Sequence, residues 1–236
     1  MDVAVFHRFG FLGAGILTAV TAQSSRRISE VRCLGGKFVL SQYETLRQEI
    51  SPTGIKVGML GGRRNIPALV QILGRHPDIP IVVDPVFRST SGRWLLERDA
   101  VPQYLSQIKG RMSILTPNLL EAALISGRRP RNPEEMKESA RLIFDRIGTP
   151  CLVKGGHLAR QIVDVFYDGF RFALFPHKKM PGDVHGTGCF LSASLLCYLA
   201  QGKSVLEAAG RACEFTQAAI RKAVPMGEGR KILAAF

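Results

Sequence analysis

The sequence predicts an α/β domain in which helices cover both faces of a mostly parallel sheet. Short β-branched runs alternate with amphipathic stretches along the chain, as in a sheet built from strand–helix–strand units. The 236 residues fit one such domain, so we expect residues 1–236 to form a single unit. An Asp168-Gly169 pair between two late apolar runs predicts an antiparallel ribbon near the end of the sheet.

Residues 9–22 begin the pattern with an apolar run that follows Arg8. Such a run resembles the hydrophobic region and cleavage site of a secretory signal. Asp2 and the glycines that interrupt the run disfavour that interpretation, and the run is too short to span a bilayer as a helix. We therefore expect a helix end, a glycine turn and then a buried first strand at residues 15–21.

The remaining segments predict strands that alternate with helices. Strands are expected at residues 55–60, 79–84, 113–116 and 149–154, and helices at residues 38–50, 66–74, 98–109, 118–125 and 133–147. The ribbon is expected at residues 162–167 and 170–175, followed by helices near 189–200 and 204–223. Ligands of such sheets bind beyond the carboxyl ends of the strands. Four polar positions follow strands in this way: Asp84, Asn118, Lys154 and the loop at Gly186.

Composition and charge restrict the partners and the compartment. A hydrophobic content of 46% is enough for a core, and the net charge of +13 comes from scattered pairs rather than one basic run. A basic surface that favours phosphorylated ligands explains this charge better than a nucleic-acid groove does. The five cysteines form no CxxC pair, and an odd count suits a reducing compartment. We expect a cytoplasmic protein that binds neither nucleic acid nor membranes.

The loop His185-Gly186-Thr187-Gly188-Cys189 is the main candidate for chemistry. Its two glycines permit a tight turn that aims backbone N–H groups outward at a helix start, where anions bind. In phosphoryl transfer such amides stabilise the charge on the moving group. We expect the same environment to lower the pKa of Cys189 and make it a base toward a hydroxyl. The alternative is a glycine-rich helix start with a buried cysteine.

Other strand ends carry further candidates. Lys154 precedes two glycines and can reach nucleotide phosphates; the alternative is a lysine that extends to the surface. Asp84 and Glu121 offer carboxylates to hydrated Mg²⁺. Asn118 and Glu121 also have the spacing of a helix cap, and the two roles are compatible. Each signal is weak alone, but their order along the chain is specific.

That order resembles the hydroxymethylpyrimidine kinase family of the ribokinase superfamily over nearly the whole chain. The matching motifs are Thr21-Ala-Gln-Ser24, Lys56-Val-Gly-Met-Leu60, Val82-Val-Asp-Pro-Val86 with Ser91-Gly92, Leu115-Thr-Pro-Asn-Leu119 with Glu121-Ala122, Val153-Lys-Gly-Gly-His-Leu158 and His185-Gly-Thr-Gly-Cys189. The resemblance implies a ribokinase-like three-layer α/β/α fold, usually dimeric. It also implies phosphorylation of 4-amino-5-hydroxymethyl-2-methylpyrimidine, and then of its monophosphate, by ATP with Mg²⁺ in thiamine biosynthesis.

The resemblance implies substrate contacts for residues that match the family motifs. Gln23 would hydrogen-bond the aminopyrimidine, and Met59 and Val86 would line its pocket. Asp2 falls on a family aspartate near the substrate hydroxymethyl group.

The resemblance also implies roles toward ATP. Lys154 and Thr187 would contact its phosphates, and Asp84 and Glu121 would organise Mg²⁺. Most of the superfamily has an aspartate base at the position of Cys189, so a cysteine there indicates the hydroxymethylpyrimidine kinase branch. The anion hole is expected to comprise Gly186, Gly188 and Cys189.

The chain departs from the family pattern at two places, before Asp2 and just before the anion loop. The family normally begins with a strand and a glycine-rich loop that precede the position of Asp2. Loss of a central strand exposes the edges of its neighbours. We therefore expect the 236-residue chain to be less stable and less active than a chain extended upstream; equal activity and Tm in both would contradict this. The other departure is Gly182-Asp183-Val184, where the family often has Asn-Thr before the anion loop.

Three other functions remain open from the sequence. A pyridoxal kinase of the same superfamily phosphorylates a similar hydroxymethyl group, although Gln23 and Met59 favour the pyrimidine. A truncated, non-catalytic relic that binds a pyrimidine or nucleotide is a second alternative, and ADP formation above a Cys189→Ala control would distinguish it. A basic nucleic-acid-binding module is the third, and it would require salt-sensitive binding.

Overall fold

The computed structural model describes residues 1–24, 27–89, 92–156, 158, 162–178, 184–226 and 230–233. The helices are α1 (Asp2–Arg8), α2 (Gly36–Leu46), α3 (Ile66–Gly74), α4 (Val101–Ile108), α5 (Leu119–Ser126), α6 (Pro133–Ile147), α7 (Thr187–Ala200) and α8 (Val205–Arg221). The strands are β1 (Ala19–Gln23), β2 (Ile28–Cys33), β3 (Ile55–Val57), β4 (Ile81–Val83), β5 (Ile114–Leu115), β6 (Cys151–Val153), β7 (Ile162–Tyr167), β8 (Phe172–His177), β9 (Val184–His185), β10 (Val224–Met226) and β11 (Arg230–Ile232).

A six-stranded sheet in the order β3-β4-β5-β6-β7-β8 separates two layers of helices. Successive side chains of a strand point to opposite faces. In β4, Ile81 and Val83 therefore join the cluster formed with α3 to α6, whereas Val82 joins the cluster formed with α7 and α8. The prediction of helices on both faces of a mostly parallel sheet is confirmed. No helix in the described part of the chain is both long and apolar enough to cross a membrane.

The late antiparallel ribbon is also confirmed. Strands β3 to β6 are parallel, and β7 and β8 add antiparallel pairs at the far edge. The turn between them has Gly169 at φ +96°, a conformation that favours glycine. The Asp168 carboxylate accepts hydrogen bonds from the backbone N–H groups of Phe170 and Arg171, which closes the turn.

The first strand differs from its prediction. Strand β1 pairs antiparallel with β2 in a separate two-stranded sheet, outside the central one. It is largely exposed, with Val20 at 53%, so the buried strand expected at residues 15–21 is wrong. The small and β-branched residues there favour an extended backbone, but they do not specify which sheet it joins. At the start of the preceding run the ring of Phe9 lies edge-on to those of Tyr198 and Phe215, whereas Leu12 and Leu17 are exposed.

Backbone hydrogen bonds align the residues that follow the parallel strands. The N–H of Asp84 donates to the carbonyl of Val57 at 2.8 Å, and the N–H of Thr116 donates to the carbonyl of Val83 at 2.9 Å. Lys154 continues the series one strand further, because its N–H donates to the Pro117 carbonyl at 2.8 Å. Side chains from four neighbouring strands are thus held at one edge of the sheet.

Candidate active site

A cleft of about 520 Å³ opens at this edge of the sheet. Asp2 is not among the residues that line it; its carboxylate accepts a hydrogen bond from the Lys56 ammonium at 2.7 Å. The other expected site residues all line the cleft, namely Gln23, Met59, Asp84, Val86, Glu121, Lys154, Gly186, Thr187, Gly188 and Cys189.

A buried ion pair lies at the base of the cleft. The Lys154 Nζ donates to Asp84 Oδ1 at 2.6 Å, and the hydroxyls of Thr116 and Ser192 contact the same carboxylate at 3.4 Å. Burial opposes ionisation of Asp84, but the ammonium groups of Lys154 and Lys56 outweigh it and hold the carboxyl pKa below its usual value. Burial likewise opposes the charge on Lys154, yet Asp84 and Glu121 raise its pKa. Both partners are therefore ionised at neutral pH.

Glu121 enters the cleft from the first turn of α5. The Asn118 side chain accepts from the N–H groups of Leu120 and Glu121, and the Glu121 carboxylate accepts from the Asn118 N–H at 2.8 Å. This capping box satisfies amides that a helix start otherwise leaves open. Burial raises the pKa of Glu121 to about 8, and the charge of Asp84 adds to the effect, although Lys154 opposes it.

The raised pKa of Glu121 predicts a specific pH dependence of stability. A carboxyl whose folded pKa exceeds its unfolded value stabilises fully below the unfolded value and loses that contribution as pH rises through the folded one. As the pH rises from 5 to 8, the free energy of unfolding should therefore fall by about 1 kcal/mol per pH unit because of Glu121. Urea unfolding of Glu121→Gln, which retains a carbonyl for the cap, should show a flatter profile. Glu138→Gln, at an exposed position on α6, should keep the original slope, and equal slopes in all three proteins would contradict the assignment.

The anion loop forms the start of α7 beside the ion pair. Gly186 is the helix N-cap at φ +87°, so a side chain there would be strained. A Cβ on Gly188 would lie 3.3 Å from Lys154 Nζ and 4.0 Å from Asp84 Oδ2, so the helix start and the ammonium are in close proximity. The first amides of a helix have no acceptor within it, and here the residues that carry them line the cleft.

The pKa of Cys189 departs from its prediction. The sequence predicts a lowered value, but burial raises the pKa of this thiol, and Asp84 adds to the rise. Lys56 opposes the shift without overcoming it. The helix start alone therefore does not determine the ionisation of this thiol, because desolvation disfavours the thiolate.

Lys56 lies next to the cleft residues Asp84 and Cys189, and its motif predicts no role for it. Its side chain is only 4% exposed, and burial opposes its charge, but the carboxylates of Asp2 and Asp84 raise its pKa. Gly58 leaves room for it, since a Cβ there would lie 3.3 Å from Lys56 Nζ. A lysine inside a short apolar strand is the signal that could have identified it.

The two glycines after Lys154 have opposite steric tolerance. A Cβ on Gly155 would lie 1.9 Å from the Val163 carbonyl oxygen of β7, whereas a Cβ on Gly156 would meet nothing within 4 Å. We expect Gly155→Ala to lower the free energy of unfolding by about 2–4 kcal/mol and Gly156→Ala to change it by less than about 0.5 kcal/mol. Chemical denaturation of both variants measures this directly. Equal stabilities would show that the turn does not require the close approach.

Some motif residues lie outside the described residues. These are Ser91 of the Ser91-Gly92 motif, His157 of the lysine motif, and Gly182 and Asp183 of the segment before the anion loop.

Comparison with known proteins gives the family. A profile described as phosphomethylpyrimidine kinase matches residues 1–234. The chain belongs to the phosphomethylpyrimidine kinase family. A relative in this family, the hydroxymethylpyrimidine/phosphomethylpyrimidine kinase of Rhizobium meliloti, is 36% identical over 234 residues that cover 97% of this chain and 88% of the relative.

Two solved structures of kinases are similar to this chain in fold and sequence. The crystal structure of phosphomethylpyrimidine kinase from Clostridium difficile matches with a TM-score of 0.80 and 30% identity, covering 93% of this chain and 91% of that one. A pyridoxal kinase from Staphylococcus aureus, in complex with AMP-PCP and pyridoxal, matches with a TM-score of 0.85 and 28% identity. That match covers 98% of this chain and 85% of the other. The ribokinase-like fold expected from the resemblance is thereby confirmed.

Proposed function

We propose that this protein transfers a phosphoryl group from ATP to 4-amino-5-hydroxymethyl-2-methylpyrimidine and then to the resulting monophosphate, as in thiamine biosynthesis. One observation carries the proposal. The start of α7, which is suited to a phosphate, is close to the Lys154 ammonium, since a Cβ on Gly188 would lie 3.3 Å from Lys154 Nζ, and Cys189 follows in the same turn. An anion site, a fixed cation and a proton acceptor in one cleft are the parts that phosphoryl transfer requires.

The pyrimidine is assigned to the end of the cleft near β1. Gln23 offers an amide that can pair with the aminopyrimidine edge, and Met59 and Val86 supply apolar contacts. The Asp2–Lys56 pair is assigned to the substrate hydroxymethyl group, with Asp2 half-exposed and Lys56 buried. A carboxylate held by an ammonium keeps a defined orientation there.

The chemical step uses groups of this chain at each position. The substrate hydroxyl oxygen attacks the γ-phosphorus of ATP while its proton passes to the Cys189 thiolate, and the bond from the γ-phosphorus to the departing ADP oxygen breaks. The N–H groups of Gly188 and Cys189 and the Lys154 ammonium stabilise the charge on the transferred group, and Thr187 and Gly186 shape the same turn. In the second transfer a phosphate oxygen of the monophosphate is the nucleophile.

Asp84 and Glu121 fit the binding of Mg²⁺ through its waters. Both are carboxylates at the cleft base, the ligand type that this cation prefers. The charge of Asp84 helps to raise the pKa of Glu121 to about 8, so a nearby cation would restore the carboxylate that burial disfavours. The chemistry that Mg²⁺ supplies when bound is neutralisation of phosphate charge.

ADP release by the purified chain tests the function. The assay offers MgATP with hydroxymethylpyrimidine, its monophosphate or pyridoxal in parallel, and a reaction without acceptor measures background hydrolysis. We expect both pyrimidines to stimulate ADP release and to exceed pyridoxal in kcat/KM. The fold similarity to a pyridoxal kinase makes pyridoxal the second candidate, and a preference for it would reassign the substrate. No stimulation by any of the three from folded protein would contradict the kinase function.

We also propose that residues 1–236 act as one cytoplasmic domain that forms a homodimer. The family match through residues 1–234 supports a single domain, and the basic, cysteine-containing composition is compatible with the cytoplasm. Leu12, Leu17 and Phe38 are exposed apolar side chains of the kind that a second copy could cover. Light scattering at twice the 25.9 kDa chain mass would support the dimer, and a monomer at micromolar concentration would refute it.

A further inference from the structure

Three side chains of metal-binding type meet beside the cleft and have no part in the proposed reaction. Asp164 Oδ2 lies 2.7 Å from His177 Nε2 and 3.4 Å from Cys213 Sγ. The three ligand atoms all fall within 4.8 Å of one another. Asp164 and Cys213 are buried, and the His177 side chain is only 6% exposed.

The fold brings these residues together from β7, β8 and α8. Asp164 is paired with Phe175 across the ribbon, and His177 lies two residues further on the same face of β8. Helix α8 comes close to this face at Gly210, where a Cβ would lie 3.1 Å from the Phe175 ring. Cys213 follows one turn later, and the close approach places its sulfur on the Asp164 carboxylate.

The Asp164 carboxylate is held in a fixed orientation. Its other oxygen, Oδ1, accepts from the Gly155 N–H at 2.8 Å, which leaves Oδ2 directed at His177 and Cys213. A ligand whose second oxygen is already hydrogen-bonded is the usual arrangement around protein metals. Asp164 and His177 also line the cleft, so one side of the cluster is accessible.

The donor set selects the class of ion. Thiolate and imidazole bind first-row transition metals, whereas Mg²⁺ and Ca²⁺ prefer oxygen throughout. Bond lengths of about 2.0–2.3 Å to Zn²⁺ place its ligand atoms roughly 3–4 Å apart in a tetrahedron, which the cluster reaches by small side-chain shifts. We propose that Asp164, His177 and Cys213 bind a divalent transition metal such as Zn²⁺, with the fourth position open to the cleft. The proposal does not depend on the kinase function.

Metal binding changes the protonation of the ligands. The Cys213 thiol loses its proton to solvent as the metal–sulfur bond forms. Nε2 of His177, which faces the Asp164 carboxylate, gives up its proton and binds the metal through the freed lone pair while Nδ1 carries the ring proton; no electron is transferred. Because the metal binds the thiolate and releases protons, affinity should increase with pH. Because Asp164 also holds the Gly155 N–H, the metal lies against the turn that follows Lys154.

Titration of the reduced, nucleotide-free and Mg²⁺-free protein with Co²⁺ tests the proposal. We expect a thiolate-to-cobalt charge-transfer band in the near ultraviolet that saturates at one ion per chain and disappears when Zn²⁺ is added. Cys213→Ser should lose the band, and His177→Gln should weaken binding at least about tenfold. Cys197→Ser removes another buried thiol, on α7, and should retain the band.

Two results of the Co²⁺ titration would overturn the proposal. No band at excess Co²⁺ would mean that the three groups only hydrogen-bond one another and would overturn the proposal. A band that survives Cys213→Ser but disappears in Cys189→Ser would place the metal in the reaction site and would also overturn it. The Tm of each variant without metal shows whether it is folded. At one Zn²⁺ concentration the Tm of the unsubstituted protein should rise, that of His177→Gln should rise less, and that of Cys213→Ser should stay unchanged.

Discussion

Replacement of Cys189 by alanine is expected to lower kcat for hydroxymethylpyrimidine by about 10²–10⁴-fold, the usual contribution of a positioned base. The KM for ATP should change little, because the amides of the α7 start and Lys154 remain in place. Steady-state ADP release at saturating MgATP measures both parameters. Cys197→Ala, which removes a buried thiol of the same helix, should retain most of the activity.

The same reaction should show an alkaline dependence. A base must be deprotonated to accept a proton, so the rate rises as pH passes through its pKa, and burial raises the pKa of Cys189. We expect kcat/KM of the unsubstituted protein to increase toward alkaline pH. Cys189→Asp, with the carboxylate found in most of the superfamily, should restore part of the lost activity and move the rise to lower pH. Full activity in Cys189→Ala would remove the thiol from the mechanism.

Loss of the Lys154 ammonium is expected to have the largest combined effect on stability and activity. Lys154→Met leaves Asp84 buried without its closest cation, a change that costs about 3–5 kcal/mol for a typical buried pair. The nearby Lys56 moderates the loss toward the lower end of that range. Urea unfolding gives the change in stability, and ADP release should fall by about a thousandfold or more, as when a charged transition-state contact is removed. Lys203→Met, which removes a surface pair with Glu207 of α8, should change stability by less than about 1 kcal/mol.

A double variant separates the two effects. Asp84→Asn combined with Lys154→Met removes both charges, so it should recover much of the stability lost in Lys154→Met. Activity should not return, because neither the phosphate contact nor the carboxylate is present. A double variant that is less stable than Lys154→Met would show that the pair is not the source of the loss.

Local signals predicted most of the fold. Asn118 and Glu121 indicated the start of α5, and an amphipathic pattern indicated α6, which the structure shows to be capped by Asn132. The separate β1–β2 sheet was not predictable in this way, because pairing partners depend on tertiary contacts such as the bond from the Thr18 hydroxyl to the Met59 carbonyl.

The candidate site was predictable where chemistry follows strand ends. Asp84 and Lys154 each follow a parallel strand, and the carboxyl ends of such strands share one edge. The direction of the Cys189 pKa shift was not predictable, since it depends on burial and on charges from distant parts of the chain. The cluster that contains Asp164 and Cys213 was not predictable either, because no motif spacing connects its members.

The hairpin turn of the ribbon offers an attachment point for probes. Phe170 is 96% exposed at its tip, while the Asp168 carboxylate holds the backbone of the turn. The cleft residues Ile162 and His177 lie at the opposite end of the same two strands, about 17 Å away at the rise of a β-strand. A fluorophore or a surface tether placed at residue 170 would therefore report on the protein, or immobilise it, without entering the cleft.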